Sequence, residues 1–218
     1  MAVKVGLKYI EIWNESMEEQ IREYEREELH KGEIVFYGPS NFTRWSERRG
    51  MIPMRDVLLG KSGRPCVVNR GFGSSSAEHQ LYYYPRAVRP LEPKVLVYSF
   101  LANGKSFGYS AEESWELAQR VIAYARTDFP DIIIYICGPQ PHREVPNFAT
   151  LEENKRMTAI LKAFAENTPN CHFIDIWKNE ELHRKDIFVE DGIHYNQTGY
   201  HLYGEVFKRE LKAELDKF

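Results

Sequence analysis

EIVFYGPS, residues 33–40, is the stretch of sequence that decides the fold. Its first five residues are mostly β-branched or aromatic, and Gly38 and Pro39 then end the run. Short apolar runs that are bounded by turn formers are typical of strands buried on both faces. We therefore expect a first buried strand over residues 33–37, which leaves Ser40 at its carboxyl end.

Four similar runs follow along the chain, and helical patterns separate them. The runs cover residues 66–68, 95–99, 132–137 and 173–176, and the helical patterns cover residues 77–84, 111–127, 151–165 and 197–215. This alternation favours a parallel sheet with helices on both faces, and such sheets bind ligands beyond the carboxyl ends of their strands. The functional residues should therefore follow the strands.

Three helix starts are predicted by a serine or threonine with a glutamate three residues later. The pairs are Ser16 with Glu19, Ser110 with Glu113, and Thr150 with Glu153. The first pair opens a stretch rich in glutamate and arginine, so we expect a surface helix over residues 16–30. This helix would lie in an N-terminal extension, residues 1–32, of a single domain that covers residues 1–218.

The composition is that of an ordinary globular protein. Hydrophobic residues make up 43%, charged residues make up 28%, and the formal net charge is -3, so neither disorder nor a nucleic-acid partner is favoured. The N-terminal residues contain no uninterrupted apolar segment, and no run reaches the ~18 apolar residues of a membrane span. We expect a cytoplasmic protein that does not bind membranes.

The cysteines and most histidines lack the spacing of metal ligands. Cys66, Cys137 and Cys171 are odd in number, form no CxxC pair and lie in or beside apolar stretches, so we expect reduced core residues. Five histidines also have no ligand-like partners in sequence, namely His30, His79, His172, His183 and His201. We expect no metal site and no cofactor.

Ser40, Asp191 and His194 have the chemistry of an activated nucleophile. A serine hydroxyl needs a base that takes its proton, and the base works best when a third group orients it. In Asp191-Gly-Ile-His194, the carboxylate can bond Nδ1 of the ring and leave Nε2 free to face Ser40. A turn serine and a solvated loop pair are the structural alternatives for these residues.

Two loops after predicted strands can supply donors for an oxyanion, the negative oxygen that forms during attack on an ester. One loop is NRGFGS, residues 69–74, and the other is LANG, residues 101–104. Their glycines can equally serve as turn residues, and Asn103 can equally cap a loop. All of these features occur at the strand ends, as catalysis requires.

Four blocks of the sequence resemble those of SGNH (GDSL-like) hydrolases. They are IVFYGPSNFTRW (34–45), VNRGFGSSS (68–76), LANGKSFGYSAEE (101–113) and VEDGIHYNQTGY (189–200). The last block is the most specific, because its aspartate, histidine, following asparagine and Gly-Tyr pair all match. The resemblance implies a three-layer, flavodoxin-like α/β/α sandwich with five parallel strands, and a serine esterase that needs no cofactor.

The resemblance also implies the role of each site residue. Ser40 would be the nucleophile, His194 the base and Asp191 its orienting partner, while the Ser40 N–H, the Ser74 N–H and the Asn103 side chain would form the oxyanion hole. The implied substrate is a small-molecule ester with a short acyl group, such as an acetyl group on carbohydrate. The oligomeric state is not indicated.

The chain departs from the family pattern at three places. Pro39 stands where the family often has aspartate, Ser74 replaces a glycine, and Leu101 with Gly104 replaces a glycine and an aspartate. The change at Ser74 preserves its N–H only if the loop tolerates a side chain there. The change at Leu101 is expected to narrow or reshape the acyl pocket.

Gly73, His142 and Arg143 are further candidates for substrate binding, since they lie in loops after the second and fourth predicted strands. Two other functions remain open at this point. One is a binding protein that keeps the fold and has lost turnover, against which the retention of Ser40, Asp191 and His194 argues. The other is a phosphate or nucleotide binder, although the Gly-rich stretch over residues 71–76 lacks the GxGxxG pattern.

Overall fold

The computed structural model describes residues 14–145 and 148–218. Its strands are β1 Ile34–Gly38, β2 Val67–Gly71, β3 Val95–Tyr98, β4 Ile133–Cys137 and β5 Cys171–Ile174. They form one sheet in the order β2-β1-β3-β4-β5, and every neighbouring pair is parallel. The carboxyl ends of all five strands therefore meet at one edge of the sheet.

Helices connect the strands in the described part of the chain. They are α1 Asn14–Arg26, α2 Ser40–Thr43, α3 Met54–Val57, α4 Ala77–Ala87, α5 Ala111–Asp128, α6 Leu151–Glu166, α7 Gln197–Glu210 and α8 Lys212–Leu215. Short 3-10 helices cover Glu47–Arg49, Arg89–Leu91, Lys105–Phe107, Glu180–His183 and Lys185–Ile187.

Successive side chains of each strand enter two separate cores. In β1, Val35 and Tyr37 pack with α1, α4, α5 and α6, whereas Ile34 and Phe36 pack with α2, α3, α7 and α8. This division follows from the alternation of side chains along a strand. The expected three-layer α/β/α sandwich with five parallel strands is therefore confirmed.

The predicted helix starts at Ser110 and Thr150 are also confirmed. The Ser110 hydroxyl accepts from the backbone N–H of Glu113 at 3.1 Å, and the Glu113 carboxylate accepts from the backbone N–H of Ser110 at 2.8 Å. Thr150 and Glu153 form the same reciprocal pair. Each pair satisfies N–H groups that would otherwise be unpaired at the helix terminus.

Some element boundaries differ from those expected. The fifth strand lies two residues earlier than 173–176, because Cys171–Ile174 pairs in register with β4. The last helical pattern is divided at the buried Leu211 into α7 and α8. Residues 14 and 15 are already helical, so Ser16 lies inside α1 and its prediction as the N-cap is wrong.

Helix α1 also ends earlier than expected and is more than a surface helix. It ends at Arg26, and Glu27 turns back to bond the guanidinium of Arg70 at 2.5 Å. Met17 and Ile21 on its inner face are fully buried against α4 and the sheet. One face of the helix is therefore part of the core.

Candidate active site

Two glycines allow helix α2 to lie against the ends of β1 and β2. A Cβ atom at Gly38 would lie 2.9 Å from the ring of Phe42 and 2.9 Å from the carbonyl oxygen of Ser99. A Cβ atom at Gly71 would lie 2.5 Å from Cβ of Phe42. All three distances are shorter than van der Waals contact, so only glycine fits at either position. This close packing holds Ser40, the first residue of α2, directly beyond the carboxyl end of β1.

Polar contacts also fix the position of α2. The side chain of Asn69 donates to the carbonyl of Phe42 at 2.7 Å and accepts from the N–H of Gly71 at 2.9 Å. On the other side, the hydroxyl of Tyr200 donates to the carbonyl of Asn41 at 2.9 Å. The helix is therefore tied both to β2 and to α7, which follows the Asp191–His194 loop.

Ser40, His194 and Asp191 form a continuous chain of hydrogen bonds. The Oγ atom of Ser40 lies 2.7 Å from Nε2 of His194, and Nδ1 of His194 lies 2.7 Å from Oδ2 of Asp191. The other carboxylate oxygen, Oδ1, accepts from the backbone N–H groups of Ile193 and His194 at 2.9 Å each. The geometry fixes the imidazole with Nδ1–H toward the carboxylate and Nε2 toward the hydroxyl, as a general base requires.

The surroundings of the His194 ring favour its neutral form. Burial is the main cause that lowers the pKa of His194, and the positive charges of Arg44 and Arg49 lower it further, against the opposing effect of Asp191. For Asp191, burial opposes ionisation, but the hydrogen bonds from His194 and Ile193 outweigh it and lower the carboxyl pKa. Arg44 lies 3.7 Å from Oδ2 of Asp191. A neutral imidazole beside an ionised carboxylate is the state in which the ring can accept a proton.

The two candidate oxyanion loops meet across the end of β1. The side-chain amide of Asn103, after β3, donates to the carbonyl of Ser75, after β2, at 2.9 Å. Since β1 lies between β2 and β3, this hydrogen bond spans the sheet edge at which Ser40 lies. Ser74 has a φ of 60°, a left-handed conformation that glycine adopts more readily than serine. The loop therefore tolerates the side chain at Ser74, at the cost of backbone strain.

A cavity of about 60 Å³ opens beside Ser40 and His194. Its other lining residues come from α2, α6 and the loops after β3, β4 and β5, namely Asn41, Ser99, Leu101, Ala102, Gly138, Pro139, Gln140, Pro141, His142, Phe148, Ala149, Asn154 and Ile193. The loops after the strands thus form the cavity, as expected of a parallel sheet.

Of the three further binding candidates, only His142 lines this cavity. Arg143 turns away from it, because its guanidinium donates to the carbonyl of Lys185 and its backbone N–H donates to Gly192. The N–H of Gly73 donates to Oε1 of Gln20 in α1 at 2.9 Å. The hydrogen bonds of both residues are thus made within the protein. Those of Arg143 support the Asp191–His194 loop, and that of Gly73 links the loop after β2 to α1.

The model of the GDSL-like lipase/acylhydrolase family matches residues 37–202 of the chain. The chain belongs to this family. The membership expected from the four sequence blocks is thus confirmed, and with it the assignment to a family of hydrolases.

Individual relatives share little sequence identity with this chain. Platelet-activating factor acetylhydrolase IB subunit alpha1 of Bos taurus is 22% identical over 140 residues, which are 62% of this chain and 58% of that protein. The match thus spans less than two thirds of the relative's length. A GDSL-like lipase of Bacteroides thetaiotaomicron superposes with a TM-score of 0.71 at 15% identity, covering 91% of this chain and 98% of the other. The acetyl xylan esterase AlAXEase superposes with a TM-score of 0.66 at 19% identity, covering 82% and 98%.

Sequence reasoning on this GDSL-like chain missed several residues of the site, and three of them have polar side chains next to the proposed chemistry. Asn41 and Asn154 line the cavity, and Arg44 lies against Asp191. A signal for Asn41 and Arg44 was available, since both fall in the first family block, directly after the candidate nucleophile. Asn154 carried no signal, because it lies inside a regular helical pattern.

Two observations concern membranes and metals. In residues 14–145 and 148–218, none of the helices has the length and apolar character needed to cross a bilayer. Within the same residues, His, Cys, Asp and Glu side chains form no group of three that could hold a metal ion. The three cysteines are buried and unbridged.

Proposed function

We propose that this protein is a serine esterase that cleaves esters of short acyl groups through an acyl-enzyme on Ser40. The observation that carries the proposal is the chain of hydrogen bonds from Ser40 to His194 to Asp191, with 2.7 Å at both steps. Nucleophile, base and orienting group lie within hydrogen-bond reach of one another, which is the arrangement that activates a serine hydroxyl.

In the first half-reaction, Oγ of Ser40 attacks the ester carbonyl carbon while Nε2 of His194 takes the hydroxyl proton. The tetrahedral intermediate collapses as the bond to the alcohol oxygen breaks, and His194 returns the proton to that oxygen. In the second half-reaction, water replaces Ser40 by the same steps and releases the carboxylic acid. Asp191 keeps the imidazole oriented and stabilises the imidazolium that forms in each half-reaction.

The oxyanion would be held by three donors. The first is the N–H of Ser40, which opens α2, and the N–H at the first position of a helix has no partner within the helix. The second is the N–H of Ser74. The third is the side-chain amide of Asn103, which carries two hydrogens, of which the hydrogen bond to Ser75 uses one. Donors fixed in advance at this position stabilise the charge that develops during attack.

The size of the cavity supports a short acyl group. Its volume of about 60 Å³ is roughly four to six times that needed for one water molecule. The names of two relatives, an acetylhydrolase and an acetyl xylan esterase, also point to small acyl groups. A long acyl chain would require the cavity to rearrange.

Labelling with a fluorophosphonate and hydrolysis of p-nitrophenyl esters of increasing chain length together test the proposal. We expect one labelled serine, mapped to Ser40 by peptide analysis, and the fastest turnover on short acyl groups. Ser40→Ala should abolish both signals, whereas Ser62→Ala, a change of an exposed serine, should leave both intact. Labelling that persists in Ser40→Ala would refute the assignment, and a folded wild-type protein that neither reacts nor hydrolyses any ester would favour a binding protein.

A further inference from the structure

Residues that line the cavity beside Ser40 carry polar atoms that the described protein leaves without partners. Eight buried side-chain nitrogen or oxygen atoms lack a hydrogen bond among the described residues. Three of these eight belong to residues that line this one cavity, namely Oδ1 of Asn41, Nε2 of His142 and Nδ2 of Asn154. Buried polar groups are normally paired, so a cluster of unpaired ones calls for a partner from outside the chain.

His142, a lining residue of the cavity, has an unpartnered hydrogen-bond acceptor. Its Nδ1 atom lies 2.6 Å from the carbonyl oxygen of Arg143, which can only accept, so Nδ1 carries the proton. The neutral ring then has a lone pair on Nε2, the buried and unpartnered atom. Packing of the ring against Phe148, with centroids 5.1 Å apart, holds this orientation.

The two asparagines add a second acceptor and a donor. Asn41 is 7% exposed, and its Nδ2 atom donates to the hydroxyl of Tyr203 at 3.2 Å, which leaves Oδ1 unpartnered. Asn154 is 6% exposed and lies in the wall that this cavity shares with an adjoining one. Its unpartnered atom is Nδ2, a donor. A purely apolar group in the cavity would leave all of these atoms unsatisfied.

We propose that the cavity selects short acyl groups that carry a hydroxyl, which can donate to His142 or Asn41 and accept from Asn154. This inference rests on the proposed esterase function, and it adds a substrate class, esters of short hydroxy acids. The acyl group is the part assigned to the cavity because it stays on Ser40 after the alcohol leaves. A small cavity directly beside Ser40 suits the part that stays, whereas the alcohol needs an open path.

Isosteric acyl groups on one alcohol test the inference. We would measure kcat/KM for p-nitrophenyl butanoate and p-nitrophenyl 3-hydroxypropanoate, whose acyl groups differ only by a hydroxyl in place of the terminal methyl. Each value is divided by the rate of hydroxide-catalysed hydrolysis, which removes the difference in intrinsic reactivity. We expect the hydroxy ester to be favoured about 10- to 100-fold, because the butanoate leaves buried donors and acceptors unpaired.

Two variants and one control assign the preference to the cavity. Asn154→Leu removes the donor at similar volume and should reduce the preference for the hydroxy ester by about tenfold. His142→Phe removes an acceptor and should also reduce this preference, so it serves as the test if Asn154→Leu does not fold. Asn167→Leu makes the same change at the exposed end of α6 and should leave the preference intact.

The results separate this inference from the proposed function. Hydrolysis of both esters at equal corrected rates would overturn the inference and leave the esterase in place, since water would then satisfy the polar atoms. A preference that survives both Asn154→Leu and His142→Phe would also overturn it. Failure to hydrolyse either ester, together with no fluorophosphonate labelling, would overturn both proposals.

Discussion

Gly71→Ala tests whether close packing of α2 on β2 sets the position of the nucleophile. The added methyl group would lie 2.5 Å from Cβ of Phe42 and 2.6 Å from the backbone nitrogen of Thr43. Carbon atoms in contact prefer ~3.5–4.0 Å, so α2 must withdraw by about 1 Å. The obstacle on α2 includes backbone, and rotation of a side chain cannot relieve the clash.

The withdrawal of α2 should affect activity more than folding. A misplacement of ~1 Å at a reacting group can cost ~10²-fold in rate, and we expect a loss of that order in kcat/KM. Overpacking of this kind costs ~1–3 kcal/mol in the free energy of unfolding, which lowers the melting temperature by ~2–4 °C per kcal/mol in a chain of this size. Ester hydrolysis would be assayed well below the melting temperature, with circular dichroism to verify folding.

Gly73→Ala provides the matched control two residues away. A Cβ atom at Gly73 would lie 3.7 Å from the nearest atom, the Oε1 of Gln20, which is an ordinary contact. The variant keeps its N–H, and its activity should stay within about threefold of wild type. Wild-type activity of a folded Gly71→Ala protein would refute the idea that this contact positions Ser40, and an equal loss in both variants would show a general sensitivity of the loop.

Two more predictions concern the base and the oxyanion hole. Burial and nearby positive charge lower the pKa of His194, so the rate should fall with decreasing pH only below the ordinary histidine value of ~6.5. Arg44→Gln removes a positive charge that disfavours the imidazolium, so the pKa of His194 should rise. The variant should then lose more activity than wild type as the pH falls from about 8 to 6. Arg64→Gln is the remote control, and an unchanged or lower midpoint of the pH–rate profile in Arg44→Gln would contradict the assignment. Asn103→Ala should lower kcat by ~10²–10³ with little change in KM, whereas Ser74→Gly, which keeps the N–H and suits a φ of 60°, should retain activity. Full kcat in Asn103→Ala would exclude this amide as an oxyanion donor.

Features encoded over short stretches of sequence could be predicted. The strand before Ser40 is a continuous apolar run with a glycine at its end, and Asp191 and His194 are three residues apart, so the carboxylate reaches the ring within one loop. Helix starts at Ser110 and Thr150 were predicted for the same reason. In each of these cases, the interacting groups lie within a few residues of one another.

Features that depend on contacts between distant segments could not be predicted. The helical pattern around Asn154 gives no sign that this side chain faces the cavity beside Ser40, more than 100 residues away in sequence. Another such contact lies at the end of α1, where Glu27, the residue after the helix, pairs with the distant Arg70. The high content of glutamate and arginine indicated that α1 is a surface helix, although Met17 and Ile21 within it are fully buried.

Helix α1 supports the loop that carries the candidate oxyanion donor Ser74. Gln20 accepts from the N–H of Gly73, the residue before Ser74. Tyr24 donates to the carbonyl of Gly71 and lies under the guanidinium of Arg70, 4.7 Å from ring centroid to Cζ. A strained backbone conformation persists only where the surroundings hold it, and these contacts from α1 hold the residues just before the strained one. Although family resemblance begins only at β1, the helix that precedes it therefore contributes to the geometry of the site.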